Sequence, residues 1–382
     1  MRIGINTLFL IPGKVGGSER YTREVLSAIV NNVSYSDIEF VIFANIENAD
    51  SFRNEFASYH NIFIRDLKVR ASNKLARTFF EQILLPFICM SDSVDLLWSP
   101  GYTAPLWAPC LQVVSIHDMQ YKKYPLDFPF GARIFLQVLM PMVAARCTKV
   151  ITVSEFSKAE ILKYLPIHHS RIQVTLEGVD SSRFQKRKYG QISSETNSTC
   201  EYHTPYFLCV ANTYPHKNVA TLVGAFGEVS NELPHSLVLV GNPGRGEAHL
   251  EKAVRILSNA ARVKRLYHVT DDELTLLYEG ASAYISPSLY EGFGLTVIEA
   301  MAIGVPVIAA QKGSIPEICR DTVIYFDGSR EGLVHAIRMF ISLPPGQIKC
   351  MVENARERAE AFSWDSTAKG TIDCFKECLS PS

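Results

Sequence analysis

The chain reads as an α/β protein built from two doubly wound parallel-sheet domains in series. Three observations predict this. Short apolar, β-rich runs alternate with amphipathic helical patterns along most of the 382 residues. The rhythm breaks once, at the polar, Ser/Thr-rich stretch 181–204, and then restarts. The length suits two domains at roughly 150 residues each.

In the first half the expected strands are RIGINTLFL (2–10), EFVIFAN (39–45), LLWSP (96–100), QVVSIHD (112–118) and KVITVS (149–154). Tyr21, Val25, Ala28 and Ile29 recur at helical spacing in SERYTREVLSAIVNN, and FPFGARIFLQVLMPMVAARC reads as a second helix. In the second half the expected strands are PYFLCVAN (205–212), SLVLVGN (236–242), ARVKRLYHV (261–269), SAYISPS (282–288) and VPVIAA (305–310), with helices around 217–230, 246–258, 271–280 and 296–303. The resulting division is a first domain over 1–180, a linker over 181–204, a second domain over 205–363, and a last helix (364–379) within a segment, 364–382, expected to return to the first domain.

Composition narrows the function classes. Hydrophobic residues make up 47% and charged residues 20%, as in globular proteins with sizeable cores. The formal net charge of -1 offers no global field for nucleic acid, so any anion site must be local. No run approaches the roughly 18 apolar residues of a spanning helix, and Asn6 and Thr7 interrupt the first apolar run, which argues against a signal peptide. The nine cysteines are scattered and read as reduced thiols of a cytoplasmic protein.

Parallel sheets place ligands outside the carboxyl ends of their strands, so residues just after strands carry the functional expectation, and the crevice between two such domains is the expected site. SLYEGFGLTVIEAMAIGVPVIAA (288–310) is the most informative stretch. After a buried strand, Gly292 and Gly294 let a ligand approach the backbone. Val297, Ile298, Ala300, Met301 and Ala302 then suit a buried helix stopped by Gly304 and Pro306. The helix N-terminus over Gly294, Leu295 and Thr296 offers amides and a favourable dipole to phosphate. Glu291 precedes this anion site and Glu299 lies inside an apolar helix, where a carboxylate can take two donors from a vicinal diol. Either glutamate alone reads better as a solvated or dipole-stabilised charge; the whole string does not.

The string E-G-F-G-L-x-x-x-E-A-M-A-x-G-x-P-V-I-A closely resembles the E-x7-E signature of the retaining GT-B glycosyltransferases of family four. The resemblance extends over most of the chain and implies two Rossmann-like domains facing across a cleft. It implies that Glu291 touches the donor sugar, that Glu299 holds the ribose, and that the backbone after Gly292-Phe293-Gly294 holds the diphosphate. Lys217, in ANTYPHKN (211–218), matches a phosphate-binding cation, while His216 stands where the family usually has arginine; Arg245, in GNPGRGE, is a candidate replacement. His117, after the strand in VVSIHDMQYKKYP, matches a histidine beside the reacting sugar, with Asp118 orienting it or capping the next segment. Gly16 and Gly17 match a glycine pair near donor and acceptor, although IPGKVGGSERY does not form G-x-G-x-x-G. Val269 and Thr270 match positions against the nucleobase. Ser154 or Glu155 is expected to cap the following helix.

The expected activity is thus hexosyl transfer, mannosyl favoured, from a GDP- or UDP-linked sugar to a saccharide or lipid-linked acceptor, with retained anomeric configuration, in bacterial surface polysaccharide synthesis. The nucleotide-sugar is a co-substrate, and no other cofactor is expected. No Asp-x-Asp pair occurs in the chain, and catalysis without a metal is the expectation. Two readings from other classes stay open: a nucleotide-sugar 2-epimerase and a non-catalytic scaffold of the same fold. In KVRASNKLARTFFEQILLPFI (68–88), Lys68, Arg70, Lys74 and Arg77 mix with Phe79, Phe80, Ile83, Leu84, Leu85 and Phe87. That stretch is a helix either packed on its own sheet or in peripheral contact with the inner face of an anionic membrane.

Overall fold

The computed structural model describes residues 1–180 and 204–380, and the expected linker lies almost wholly outside them. The chain divides into two compact units, one formed by Met1–Gly178 with Trp364–Ser382 and the other by Val179–Ser363.

Among the described residues the first unit holds a seven-stranded parallel sheet in the order β3-β2-β1-β4-β5-β6-β7. Its strands are β1 (Arg2–Asn6), β2 (Glu39–Ala44), β3 (Ile62–Asp66), β4 (Leu96–Ser99), β5 (Leu111–Ser115), β6 (Lys149–Thr152) and β7 (Ile172–Val174). The helices are α1 (Gly17–Asn31), α2 (Ala49–Phe56), α3 (Lys74–Phe79), α4 (Leu85–Ser91), α5 (Gln120–Lys123), α6 (Phe130–Arg146) and α7 (Glu155–Tyr164). A π-turn, Phe80–Leu84, joins α3 to α4.

The order reverses between β1 and β4, which makes their carboxyl ends the switch point of this sheet. The first strand is shorter than the apolar run suggests. It ends at Asn6 because side-chain amides take the next carbonyls: Asn48 donates to Thr7 O at 2.8 Å and Asn45 to Leu10 O at 2.8 Å. Residues 7–10 therefore remain mostly buried without joining the ladder.

The second unit holds a six-stranded parallel sheet, β10-β9-β8-β11-β12-β13, with its switch point between β8 and β11. These strands are β8 (Tyr206–Val210), β9 (Ser236–Val240), β10 (Val263–Leu266), β11 (Ala283–Ser286), β12 (Val307–Ala310) and β13 (Ile324–Phe326). The helices are α8 (Val219–Val229), α9 (Glu247–Ile256), α10 (Asp271–Glu279), α11 (Leu295–Ile303), α12 (Ile315–Cys319), α13 (Arg330–Ser342) and α14 (Pro345–Glu360). Phe207, Leu237, Ile285 and Ile308 from the sheet pack with Val223, Phe226 and Ile337 from the helices in one core. Such continuous apolar strands are what a parallel sheet covered on both faces requires.

The last helix, α15 (Trp364–Leu379), packs in the first unit. Trp364 meets Tyr21 and Phe375 meets Trp98 ring to ring, and Thr367 donates to Leu176 O at 2.8 Å. No helix among the described residues is long and apolar enough to cross a membrane.

Candidate functional site

The predicted residues form one group on each unit. On the second unit, the loops after β8 and β11 leave the two strands that flank the switch point, where a parallel sheet opens a crevice. Lys217 comes from the first loop and Glu291 from the second. Lys217 Nζ donates to Glu291 Oε1 at 2.6 Å, with the side chains only 24% and 17% exposed. Burial pushes the Glu291 carboxyl up, but the Lys217 charge and hydrogen bond, with help from His216 and Ser288, leave it below the ordinary carboxylate value. Glu291 is therefore an ionised carboxylate in a largely buried position.

Local structure fixes both partners. Pro215–Lys217 form a 3₁₀ turn closed by Asn218 in the left-handed region (φ 56°), and Asn218 Nδ2 donates to Gly328 O at 3.2 Å. Leu289 N donates to His216 O at 2.8 Å and ties the two loops together. His216 is buried in this junction. Arg245 is exposed on the loop after β9, whose Gly244 and Gly246 pack on the backbone of Thr213.

Gly294 caps α11 with φ 103°, a conformation that a side chain would strain. The first intrahelical bonds then run from Val297 N and Ile298 N to Gly294 O, so the amides of residues 294–296 begin the helix without i−4 partners. Phe293 is buried, and its ring lies 5.7 Å from Phe362. Glu299 is 3% exposed, and the Tyr278 hydroxyl donates to it at 3.3 Å and to Thr296 O at 3.1 Å. Tyr278 lies on α10, the helix that starts after Val269 and Thr270. Thr270 itself is committed to a capping box, its amide and hydroxyl donating to Glu273 at 2.8 and 2.9 Å. Gly292 and Leu295 complete the loop and first turn.

Two supporting residues escaped the sequence reading. A Cβ on Gly313 (φ 62°) would lie 2.8 Å from both the amide N and the carbonyl O of Glu291. Ser314 donates its hydroxyl to Glu291 O at 3.1 Å and to Phe293 O at 2.8 Å. The available signal was a glycine just past a strand, at the end of the sheet where ligands bind.

On the first unit, His117 follows β5 and is 8% exposed. Its Nε2 lies 3.1 Å from Pro100 O, an acceptor, and its Nδ1 lies 3.3 Å from Glu177 Oε1. Both ring nitrogens therefore face acceptors, an arrangement that suits the doubly protonated imidazolium. Burial disfavours that charge, yet Glu177 with Pro100 O and Asp118 raises the histidine above its ordinary value. Tyr21 meets the ring edge-on at 4.6 Å, and Ser157 donates to His117 O at 2.7 Å. The ring is a held group whose nitrogens point into protein. Asp118 accepts from Gln120 N at 2.8 Å just ahead of α5, whose N-cap is Met119. Glu177, buried just past β7, was missed because its partner lies far back in the sequence. Gly16 (φ 71°) and Gly17 open α1, and nothing lies within 4 Å of a Cβ built on either. Ser154 accepts from Ser157 N at 3.0 Å and caps α7.

Among the described residues no three His, Cys, Asp or Glu side chains gather as a metal site would.

Two family profiles match this chain almost end to end. Residues 15–183 match "Glycosyltransferase Family 4" and residues 198–358 match "Glycosyl transferases group 1". O-antigen chain mannosyltransferase B of Escherichia coli is 27% identical over 69% of this chain and 70% of its own length. O-antigen chain mannosyltransferase RfbU of Salmonella typhimurium is 29% identical over 62% of each, so the chain spans less than two thirds of that relative. The crystal structure of Anabaena HepE with UDP-glucose superposes with a TM-score of 0.74 at 18% identity, covering 98% of this chain and 99% of that one. Each of these is a glycosyltransferase relative or a structural neighbour of shared fold. The chain belongs to the GT-B glycosyltransferases of family 4.

Proposed function

We propose that this glycosyltransferase moves a mannosyl or related hexosyl unit from a nucleotide-diphosphate sugar to a saccharide or lipid-linked saccharide, with retention at the anomeric carbon. The observation that carries the reading is the Lys217–Glu291 pair at the β8/β11 switch point, beside the N-terminus of α11. A diphosphate needs cations and amides, and a sugar needs a fixed carboxylate for its hydroxyls; here the two chemistries touch. The named relatives act in O-antigen chains and HepE was crystallised with UDP-glucose, which favours a sugar nucleotide as donor and a surface polysaccharide as product.

In this reading the amides of 294–296 and Lys217 Nζ hold the diphosphate, Glu291 the sugar hydroxyls, and Glu299, oriented by Tyr278, the ribose diol. As the anomeric C–O bond to phosphate breaks, the acceptor oxygen bonds to that carbon on the same face. The acceptor's proton passes to the departing phosphate oxygen. His117, on the first unit and fixed by Glu177 and Pro100, is the histidine that the family resemblance assigns to the reacting sugar. The charge on the leaving group is met by protein groups, so the proposed reaction proceeds without a divalent metal and persists in chelator.

Incubation with GDP-mannose or a UDP-hexose and an oligosaccharide acceptor, followed by NMR of the anomeric proton, tests the reading. Retained configuration supports it; an inverted centre, or a changed sugar nucleotide with no acceptor consumed, rules it out.

A further inference from the structure

We infer that one face of the first unit is a docking surface for an anionic lipid bilayer. Leu75, Phe79, Ile83 and Phe87 follow one another at four-residue spacing along α3, the π-turn and α4, and all are exposed, Leu75 to 87%. Phe130, Ile134 and Val138 repeat the spacing on α6 and are exposed too, Phe130 to 70%. Spacing of this kind puts each set on one side of its helix.

The two stripes lie in one layer. Leu97 on β4 packs with Leu85 and Cys89 of α4, while Val114 on β5 packs with Leu139 and Met140 of α6. Leu97 pairs with Gln112, and Ser99 with Val114. Side chains two apart on a strand, and paired neighbours in a sheet, point to one face, so α4 and α6 cover the same face of adjacent strands. Trp107 is exposed in the connection between those strands, with its ring 6.0 Å from Phe87. Seven large apolar side chains and Trp107 are thus exposed on this side of the sheet, a concentration of the kind that marks an interaction surface.

Charge selects the occupant. Residues 68–91 contain Lys68, Arg70, Lys74 and Arg77, and residues 119–146 contain Lys122, Lys123, Arg133 and Arg146. The acidic residues of both segments are Glu81 and Asp127, and both are buried. In a chain whose charges nearly cancel, these two segments carry eight cations and no exposed acid, beside rows of aliphatic and aromatic side chains. Apolar insertion with basic flanks is the chemistry of an anionic bilayer surface. Glu81 and Gln82, in the π-turn, fasten the stripe to the connection leaving the switch-point strand β4. Thr103 donates to Glu81 at 3.1 Å, and Gln82 donates to Ala104 O at 2.9 Å. Docking would therefore fix the carboxyl edge of this sheet relative to the lipid surface, as delivery of a lipid-linked acceptor requires. That purpose rests on the function proposed above, whereas the surface itself does not.

The test is co-sedimentation of the full chain with equimolar phosphatidylglycerol–phosphatidylcholine vesicles and with pure phosphatidylcholine vesicles. The expected result is binding to the anionic vesicles that weakens with salt. Binding should fall at least about tenfold in Lys74→Glu/Lys123→Glu and in Phe79→Ser/Ile134→Ser, with unchanged melting temperatures. Equal binding by the variants, or no binding to either vesicle, overturns the proposal. So does a dimer of the native chain that the Phe79→Ser/Ile134→Ser variant loses. Vesicle binding without glycosyl transfer would leave the surface standing and remove the reaction reading; transfer to a soluble acceptor without vesicle binding would do the reverse.

Discussion

Lys217 Nζ and Glu291 Oε1 are 2.6 Å apart, although 74 residues separate them in the chain. The pair joins the two loops at the switch point and gives the site an ionised carboxylate and a cation in contact. Glu291→Gln leaves Lys217 without its charged partner and removes the group assigned to the sugar. Turnover should fall by at least about a hundredfold, and the protein should lose about 1–3 kcal/mol of stability. The sign of the pH effect follows from a depressed carboxyl. Its contribution is present above the ordinary Glu value and is lost as pH falls through the lowered one. Thermal melts in the acid range should show a shallower loss of stability for Glu291→Gln than for the native chain.

Gly313→Ala should act on the site without removing any functional group. The added Cβ meets the amide N and carbonyl O of Glu291 at 2.8 Å, and the φ of 62° is itself unfavourable for alanine. The loop must shift, and a displacement of about 1 Å can cost on the order of a hundredfold in rate. A steady-state assay beside a melting curve separates this from global unfolding. If turnover is native-like, Glu291 is not positioned by this contact.

His117 and Glu177 make a second pH-dependent pair with the opposite sign. The raised histidine contributes stability fully below its ordinary value, and that contribution is lost as pH rises through the raised one. Titration of the His117 ring followed by NMR should therefore show a midpoint above the ordinary histidine value. In Glu177→Gln the midpoint should drop, because burial then acts without its counter-charge. An unmoved midpoint would mean that the 3.3 Å approach carries no ion pair.

Much of the frame was readable because buried parallel strands and capped helices leave strong local signals. Gly304 ends α11 with φ 92°, Ser154 caps α7 and Thr270 caps α10, all at positions the sequence marks. The strands that escaped reading, β3, β7 and β13, are all sheet edges. IFIRD of β3 is largely exposed beyond its first residue, and IQV and IYF are three residues long, so none forms an apolar run. The motif residues of 291–299 were legible because one loop and one helix carry them. Glu177, Gly313 and Ser314 were not, since each acquires its role from a contact made by folding with a distant segment. The stripe on α3 and α4 was visible as a basic, apolar helix, but its continuation on α6 needed the strand register to place it.

The central claim is that the amides of 294–296, together with Lys217, hold a diphosphate. Crystals soaked with GDP and with UDP test it most directly. The account predicts phosphate oxygens within hydrogen-bonding distance of those amides and of Lys217 Nζ, with the ribose hydroxyls on Glu299. A nucleotide bound elsewhere on the second unit, leaving that helix N-terminus to solvent, would contradict it.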